Sequence, residues 1–190
     1  IKTVIDKYHS DFPVKWLTCS GKMGEDCLKK YGFSCEVVHH CKKVTTADDT
    51  KRACKAFLKR NVDLIVFCGG DGTARDIYDV VGDKTPILGV PSGVKMHSGV
   101  FCVNPEAASE VISAFTERTL SIGEAEIMDL DEEKYRKGEW SIKLHGIAKT
   151  LSEGNYIQSA KAIIRGPSEE EIKEEIADHI KEDIEKDTLY

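Results

Sequence analysis

Apolar runs and amphipathic stretches alternate along the first part of the chain. Short runs rich in apolar and β-branched residues predict strands at 14–18, 34–39, 63–68 and 86–90. Helical apolar spacing and end signals predict helices at 23–30, from Thr46 onward, at 73–81 and at 105–116. The run at 63–68 is nearly continuous, which is typical of a strand buried on both faces of a parallel sheet. The alternation predicts an α/β domain at 1–118 with a Rossmann-like, doubly wound parallel sheet.

Two helix starts in this domain carry capping signals. Thr46 with Asp49 three residues later forms the pattern of a capping box. Asn104 followed by Pro105 combines a favoured N-cap with the residue favoured at the first helical position. Both helices should therefore begin where these residues stand.

The pattern changes after residue 118. Runs at 124–130, 141–151 and 156–164 read as strands without helices between them, which predicts a small β-rich domain at 119–166. Residues 167–190 predict an acidic helix with an isoleucine every fourth position, packing one edge back on the first domain. The chain does not begin with Met, and we expect the natural chain to extend beyond both ends.

Charge is distributed unevenly in these 190 residues. The formal net charge is −6, but residues 168–190 hold ten acidic and three basic residues, so the remainder carries +1. The body would therefore not repel a phosphorylated ligand, whereas net acidity argues against a nucleic-acid partner. The longest apolar run, 64–68, is far too short for a membrane helix, and no membrane partner is expected.

The seven cysteines are an odd number without CxxC spacing, which favours free thiols in a reducing cytoplasm. Cys54 and Cys68 are expected to be small core residues. The run His39-His40-Cys41 could supply metal ligands, but no matching second pair accompanies it, so the metal site stays open.

Candidate chemistry lies in the stretch from Asp63 to Thr73, where a buried strand leads through Gly69-Gly70-Asp71-Gly72 into a helix. Such a glycine loop lets the backbone approach a ligand, and the following helix N-terminus attracts anions. Neither the Walker pattern nor the complete dinucleotide pattern GxGxxG is present. A carboxylate here would repel phosphate unless it holds a metal or accepts a proton from an attacking hydroxyl. Alternatively, Asp71 simply caps the helix.

A second glycine-rich loop, GVPSGVKMHSG at 89–99, also follows a short apolar strand. Both loops should open on the same edge of the sheet, where ligands bind in such folds. Lys95 could neutralise phosphate, while Ser92, His97 and Ser98 could donate hydrogen bonds. The alternative is that this loop is an ordinary connection with a solvated lysine. For His97 taken alone, a structural role is favoured over proton transfer.

The pentapeptide Gly69-Gly70-Asp71-Gly72-Thr73 matches the GGDGT motif of the NAD kinase, diacylglycerol kinase and 6-phosphofructokinase superfamily. With TTADDT (45–50), GGDGTARDIYD (69–79) and GVPSGVKMHSGVFCVNP (89–105), the chain resembles the ATP-NAD kinase branch that includes AcoX-like proteins. The lipid kinases carry a PxGTxND loop instead, from which Pro91-Ser92-Gly93-Val94-Lys95 departs.

The resemblance implies an α/β domain joined to a β-rich domain, with the active site between them. It implies phosphorylation of the 2′-hydroxyl of NAD, with ATP or polyphosphate as donor and a divalent metal such as Mg²⁺. Asp71 would activate that hydroxyl. The residues that would hold nucleotide or phosphate come from both loops: Gly69, Gly70, Gly72, Thr73, Pro91, Ser92, Gly93, Lys95 and His97.

The resemblance also implies a cytoplasmic homo-oligomer with NAD and ATP as its small-molecule substrates. Two other interpretations stay open: a kinase of the same fold with a lipid or metabolite acceptor, and a nucleotide-binding regulatory protein without catalysis.

Overall fold

A computed structural model of the protein describes residues 14–92, 96–130 and 142–152. The strands are β1 (Trp16–Cys19), β2 (Cys35–His39), β3 (Ile65–Gly69), β4 (Ile87–Pro91), β5 (Ser121–Leu130) and β6 (Ile142–Ser152). The α-helices are α1 (Glu25–Lys30), α2 (Ala47–Lys59), α3 (Asp71–Val81) and α4 (Pro105–Thr116), and a 3₁₀ turn spans Gly21–Met23. The chain is thus a mixed α/β protein, as the sequence predicts.

The strands pair in two ways. β1 pairs with β2 and β3 pairs with β4, both in parallel, while β5 and β6 form an antiparallel pair. The parallel pairing across intervening helices is what alternating strand and helix patterns produce. One doubly wound sheet uniting the two parallel pairs stays a prediction, and so does the division into domains at 118 and 166.

Helix ends follow their local chemistry. The predicted capping box is present, with Thr46 and Asp49 satisfying each other's backbone N–H groups at the start of α2. The Asn104 side chain accepts a 2.7 Å hydrogen bond from the Ala107 N–H, which confirms the predicted start of α4. The α1 helix begins at Glu25 rather than at Met23, because Gly24 with φ 137° interrupts the helical backbone.

The prediction that β3 is buried on both faces, with Cys68 in the core, is wrong. Ile65 and Phe67 are buried, whereas Val66 and Cys68 point to the opposite, exposed face. Strand periodicity sends alternate side chains to opposite faces, and in the described residues only one face of β3 is covered. Cys54 is buried as predicted, and all seven cysteines, each within the described residues, are free thiols.

The β5–β6 pair packs against α3 and β4. The Thr150 hydroxyl donates a 2.8 Å hydrogen bond to the carbonyl of Ile87 in β4. Ile127 and Ala148 join a buried cluster with Ile77 of α3, so apolar burial holds the pair in place. This contact brings β5 close to the loops that follow β3 and β4.

Two other predicted elements, the strand at 156–164 and the acidic helix at 167–190, lie outside the described residues. Within the described ranges, no helix is long and apolar enough to cross a lipid bilayer.

Candidate functional site

The two glycine loops leave the same sheet edge side by side. Gly69, the last residue of β3, stands opposite Pro91, the last residue of β4, in the parallel register. The Ser92 N–H donates a 3.3 Å hydrogen bond to the Gly69 carbonyl. This confirms the predicted common edge, since the carboxyl ends of parallel strands point the same way.

The glycines of the first loop differ in what surrounds them. A Cβ added at Gly69 would lie 2.6 Å from the Thr73 Oγ1 atom, so Gly69 is required by packing beneath Thr73. At Gly70 and Gly72, no atom of the described residues lies within 4 Å of an added Cβ. Gly70 and Gly72 therefore border open space at the N-terminus of α3, where a ligand can approach the backbone.

Asp71 does not cap its helix, so the alternative interpretation of Asp71 as a helix cap is wrong. The N-cap is Gly70, whose carbonyl accepts 3.0 Å hydrogen bonds from the N–H groups of Thr73 and Ala74. The α3 helix consequently begins at Asp71, two residues before the predicted start at Thr73. The Asp71 carboxylate is therefore available for other contacts.

The Asp71 carboxylate instead binds the second loop. Its Oδ2 accepts a 2.8 Å hydrogen bond from the His97 N–H. Its Oδ1 accepts hydrogen bonds from the Ser98 N–H at 2.8 Å and the Ser98 hydroxyl at 2.6 Å. A carboxylate offers about four lone-pair positions, so three donors leave room on Oδ2 for one further proton or cation.

Ser98 connects this carboxylate to β5. Its side chain is fully buried, and its Oγ accepts a 3.0 Å hydrogen bond from the Met128 N–H while donating to Asp71. The neighbouring Gly99 N–H donates to the Glu126 carbonyl at 2.9 Å. The sequence predicts a donor at Ser98, but its partner Asp71 lies 27 residues away and no local pattern indicates it.

The other predicted residues of the second loop have mixed outcomes. Pro91 and His97 are partly buried and Ser92 is exposed, all at the edge beside the first loop. Gly93 and Lys95 lie outside the described residues. The ordinary-connection interpretation does not fit 97–98, because this segment is bound tightly to Asp71.

Arg75 is a site neighbour that sequence reasoning missed. It lies one helical turn after Asp71 and makes a 2.9 Å salt bridge with Asp129 of β5. Both side chains are about one-third exposed, so solvent screening weakens the pair. In the sequence, Arg75 stands where GxGxxG would have its third glycine, and nothing there indicates a partner 54 residues away.

Comparison with known proteins identifies the family of this chain. The ATP-NAD kinase N-terminal domain matches residues 7–120, which include both glycine loops and the Asp71 contacts. Comparisons with curated proteins and with solved structures gave no match. The matched segment is more than half of the chain. The chain therefore belongs to the ATP-NAD kinase family, and it is an enzyme, a kinase that phosphorylates a hydroxyl group.

Proposed function

We propose that this protein phosphorylates the 2′-hydroxyl of the adenosine ribose of NAD, forming NADP, with ATP or polyphosphate as donor, and that it belongs to the AcoX-like branch. One observation supports the assignment of the Asp71 carboxylate as the group that accepts the proton. Asp71 stands at the first position of α3, and its carboxylate is fixed by His97 and Ser98 between the two glycine loops. A carboxylate so fixed is preorganised to take a proton.

Each residue then has a defined part in the transfer. The Asp71 Oδ2 atom accepts the proton of the attacking ribose hydroxyl. The hydroxyl oxygen forms a bond to the terminal phosphorus, and the bond from that phosphorus to the leaving phosphate oxygen breaks. Gly70 and Gly72 admit the phosphate chain to the N-terminus of α3, where the helix dipole places partial positive charge.

The remaining proposed contacts come from both loops. Gly69 and Thr73 hold the shape of the first loop, since Thr73 packs over Gly69. From the second loop we propose Pro91, Ser92, Gly93, Lys95 and His97 as nucleotide contacts. Positioning and charge stabilisation of this kind make up most of the protein's part in phosphoryl transfer.

A divalent metal such as Mg²⁺, which the family implies, is part of the same proposal. Magnesium is usually held by one or two carboxylates together with phosphate oxygens and water. The one position left on Asp71 Oδ2 takes the hydroxyl proton in this proposal, so phosphate oxygens and water would supply most of the metal's ligands. When bound, the metal would neutralise charge on the phosphates.

Three broader features belong to the same proposal. We place the active site between the α/β domain and the β-rich domain, and β5 already contacts it through Ser98 and Met128. We also propose a cytoplasmic location and a homo-oligomer.

The donor and acceptor are tested by direct product analysis. The purified chain is incubated with NAD and either ATP–Mg²⁺ or polyphosphate–Mg²⁺, and NADP is measured with an NADP-specific dehydrogenase. NADP formation with one donor supports the proposal and identifies that donor. A folded protein that hydrolyses or binds ATP but forms no NADP would contradict the choice of acceptor, and labelled ATP with lipid and metabolite alcohols would then identify the acceptor.

A further inference from the structure

A second cluster of reactive side chains lies at the carboxyl ends of β1 and β2. His39 is the last residue of β2, Cys41 follows two residues later, and Asp49 lies in the first turn of α2. One ligand atom from each of these residues lies within 4.8 Å of the others. The loops proposed to bind phosphate follow β3 and β4, so this cluster is built on a different strand pair.

The separation between His39 and Asp49 is informative. The Nε2 atom of His39 lies 3.4 Å from the Oδ1 atom of Asp49, longer than a good hydrogen bond. Two such atoms bound to one tetrahedral Zn²⁺ would lie about 3.4 Å apart, from bond lengths near 2.1 Å. A sulfur ligand would lie about 3.6 Å from each. The Cys41 sulfur lies within 4.8 Å of both atoms, so it would move closer by at most about 1.2 Å and give up its 3.2 Å contact with the Met23 sulfur.

Cys19 is the candidate for a fourth ligand. It ends β1 and stands opposite His39 in the strand register, but its sulfur is not among the atoms that lie within 4.8 Å of one another, so it would have to move toward the other three to complete the site. A bound divalent ion would take the place of the thiol protons of both cysteines.

Groups around the cluster hold the ligands in place. The Oδ2 atom of Asp49 accepts hydrogen bonds from the Thr46 N–H at 3.0 Å and the Thr46 hydroxyl at 3.3 Å. The Cys41 N–H donates a 2.8 Å hydrogen bond to the Ser20 hydroxyl. Asp49 thus uses one oxygen for the capping box and turns the other toward His39. Outer contacts of this kind orient metal ligands.

We propose that Cys19, His39, Cys41 and Asp49 form a tetrahedral site for one Zn²⁺ ion. Two thiolates, one imidazole and one carboxylate are a ligand set suited to zinc and unsuited to Mg²⁺, which prefers oxygen. The ion would join the ends of β1 and β2 to the start of α2. It is distinct from the divalent metal that accompanies the nucleotide.

The test measures metal binding directly and does not depend on kinase activity. The reduced, metal-free chain is titrated with Zn²⁺ against a chromophoric chelator, and separately with Co²⁺ under anaerobic conditions. We expect one equivalent to bind, with intense visible bands of tetrahedral Co²⁺ and a near-ultraviolet thiolate-to-metal band. Zn²⁺ should displace the Co²⁺ signal.

Variants assign the ligands. Cys41→Ser should weaken Zn²⁺ binding by at least ~100-fold, since outer-shell losses alone cost 10- to 100-fold. Cys35→Ser, at the start of the strand that ends at His39 but outside the cluster, should bind as the parent does. Asp49→Asn keeps an oxygen for the capping box, so it tests the ligand role with α2 intact, and circular dichroism verifies the fold of each variant.

Two results would overturn the proposal. One is a folded parent chain that shows no tetrahedral Co²⁺ spectrum. The other is equal Zn²⁺ affinity for the parent, Cys41→Ser and Asp49→Asn, which would leave the cluster as a capping box beside packed thiols.

Discussion

Replacing Gly70 and Gly69 by alanine, one at a time, should separate a glycine required by a ligand from a glycine required by packing. The two residues are adjacent, and the change adds the same methyl group at each. At Gly69 that methyl would meet the Thr73 Oγ1 at 2.6 Å and the Thr73 Cβ at 2.7 Å. At Gly70 no described atom lies within 4 Å, and the backbone φ of −122° suits alanine.

The expected effects on stability differ in size. Overpacking at Gly69 should lower the free energy of unfolding by about 1–3 kcal/mol, because Thr73 sits on the helix and can move little. Alanine at Gly70 has no steric cost and reduces the freedom of the unfolded chain, which favours it by about 0.4–1 kcal/mol, but the N-cap position prefers glycine to alanine, so the free energy of unfolding should stay within about 1 kcal/mol of the parent. Urea unfolding of both variants and the parent measures the difference.

Ligand binding should depend on Gly70 even though its replacement changes the stability of the fold little. If phosphate approaches the backbone there, the added methyl occupies its place, and affinity for ATP–Mg²⁺ by calorimetry should fall at least tenfold, about 1.4 kcal/mol. Gly70→Ala that binds nucleotide as tightly as the parent would refute the phosphate-cradle interpretation. Gly70→Ala that unfolds as easily as Gly69→Ala would refute the claim of open space.

Other predictions concern the fold around the site. Asn104→Ala removes the acceptor that caps α4 and should cost about 1 kcal/mol in urea unfolding, while Asn104→Asp should retain most of it. Gly146→Val should destabilise by about 1–3 kcal/mol or more, because a Cβ there would lie 2.2 Å from the Tyr78 ring; unchanged stability would contradict this packing. The hydrogen bond with His145 lowers the pKa of Asp79 from its ordinary value of 3.8. Ionised Asp79 therefore stabilises the fold above pH 3.8, and this stabilisation is lost as the pH falls through the lowered pKa of the folded state. Thermal melts of Asp79→Asn from pH 6 to pH 2 should therefore differ from the parent most at the upper end, and a constant difference would contradict the linkage.

The local elements of the fold could be predicted because their signals are local. The Thr46–Asp49 capping box and the Asn104 cap need only residues three apart, and both appear where the sequence places them. The common edge of the two glycine loops also follows from strand and helix order alone. The exposed face of Cys68 could not be predicted, since it depends on which elements cover β3.

The site could be predicted only in part, because its motif is local but its contacts join residues far apart in the sequence. The GGDGT motif identifies Asp71, and the ATP-NAD kinase N-terminal domain match agrees with the family to which that motif points. The partners of Asp71 are set by packing of the second loop and β5, at separations of 26 and 27 residues. In the second cluster, His39 and Cys41 were named from the sequence as possible metal ligands, but Asp49 was assigned only to the capping box.

The role of Asp71 as the base is tested by comparing Asp71→Asn with Ser98→Ala in the formation of NADP from NAD and ATP–Mg²⁺. Asp71→Asn removes the proposed base and also turns an amide toward the His97 or Ser98 N–H. Ser98→Ala removes only the 2.6 Å hydroxyl contact to Asp71 and the acceptor of the Met128 N–H. It therefore measures how much activity is lost when the carboxylate is held less firmly.

Asp71→Asn should lower kcat by at least ~100-fold, the scale of general-base loss, while both variants stay folded and bind nucleotide. Ser98→Ala should keep kcat within about tenfold of the parent, since two of the three hydrogen bonds to Asp71 remain. Two outcomes would contradict the assignment of Asp71 as the base. One is an Asp71→Asn variant whose kcat is close to that of the parent, and the other is a loss of kcat no larger than the loss in Ser98→Ala.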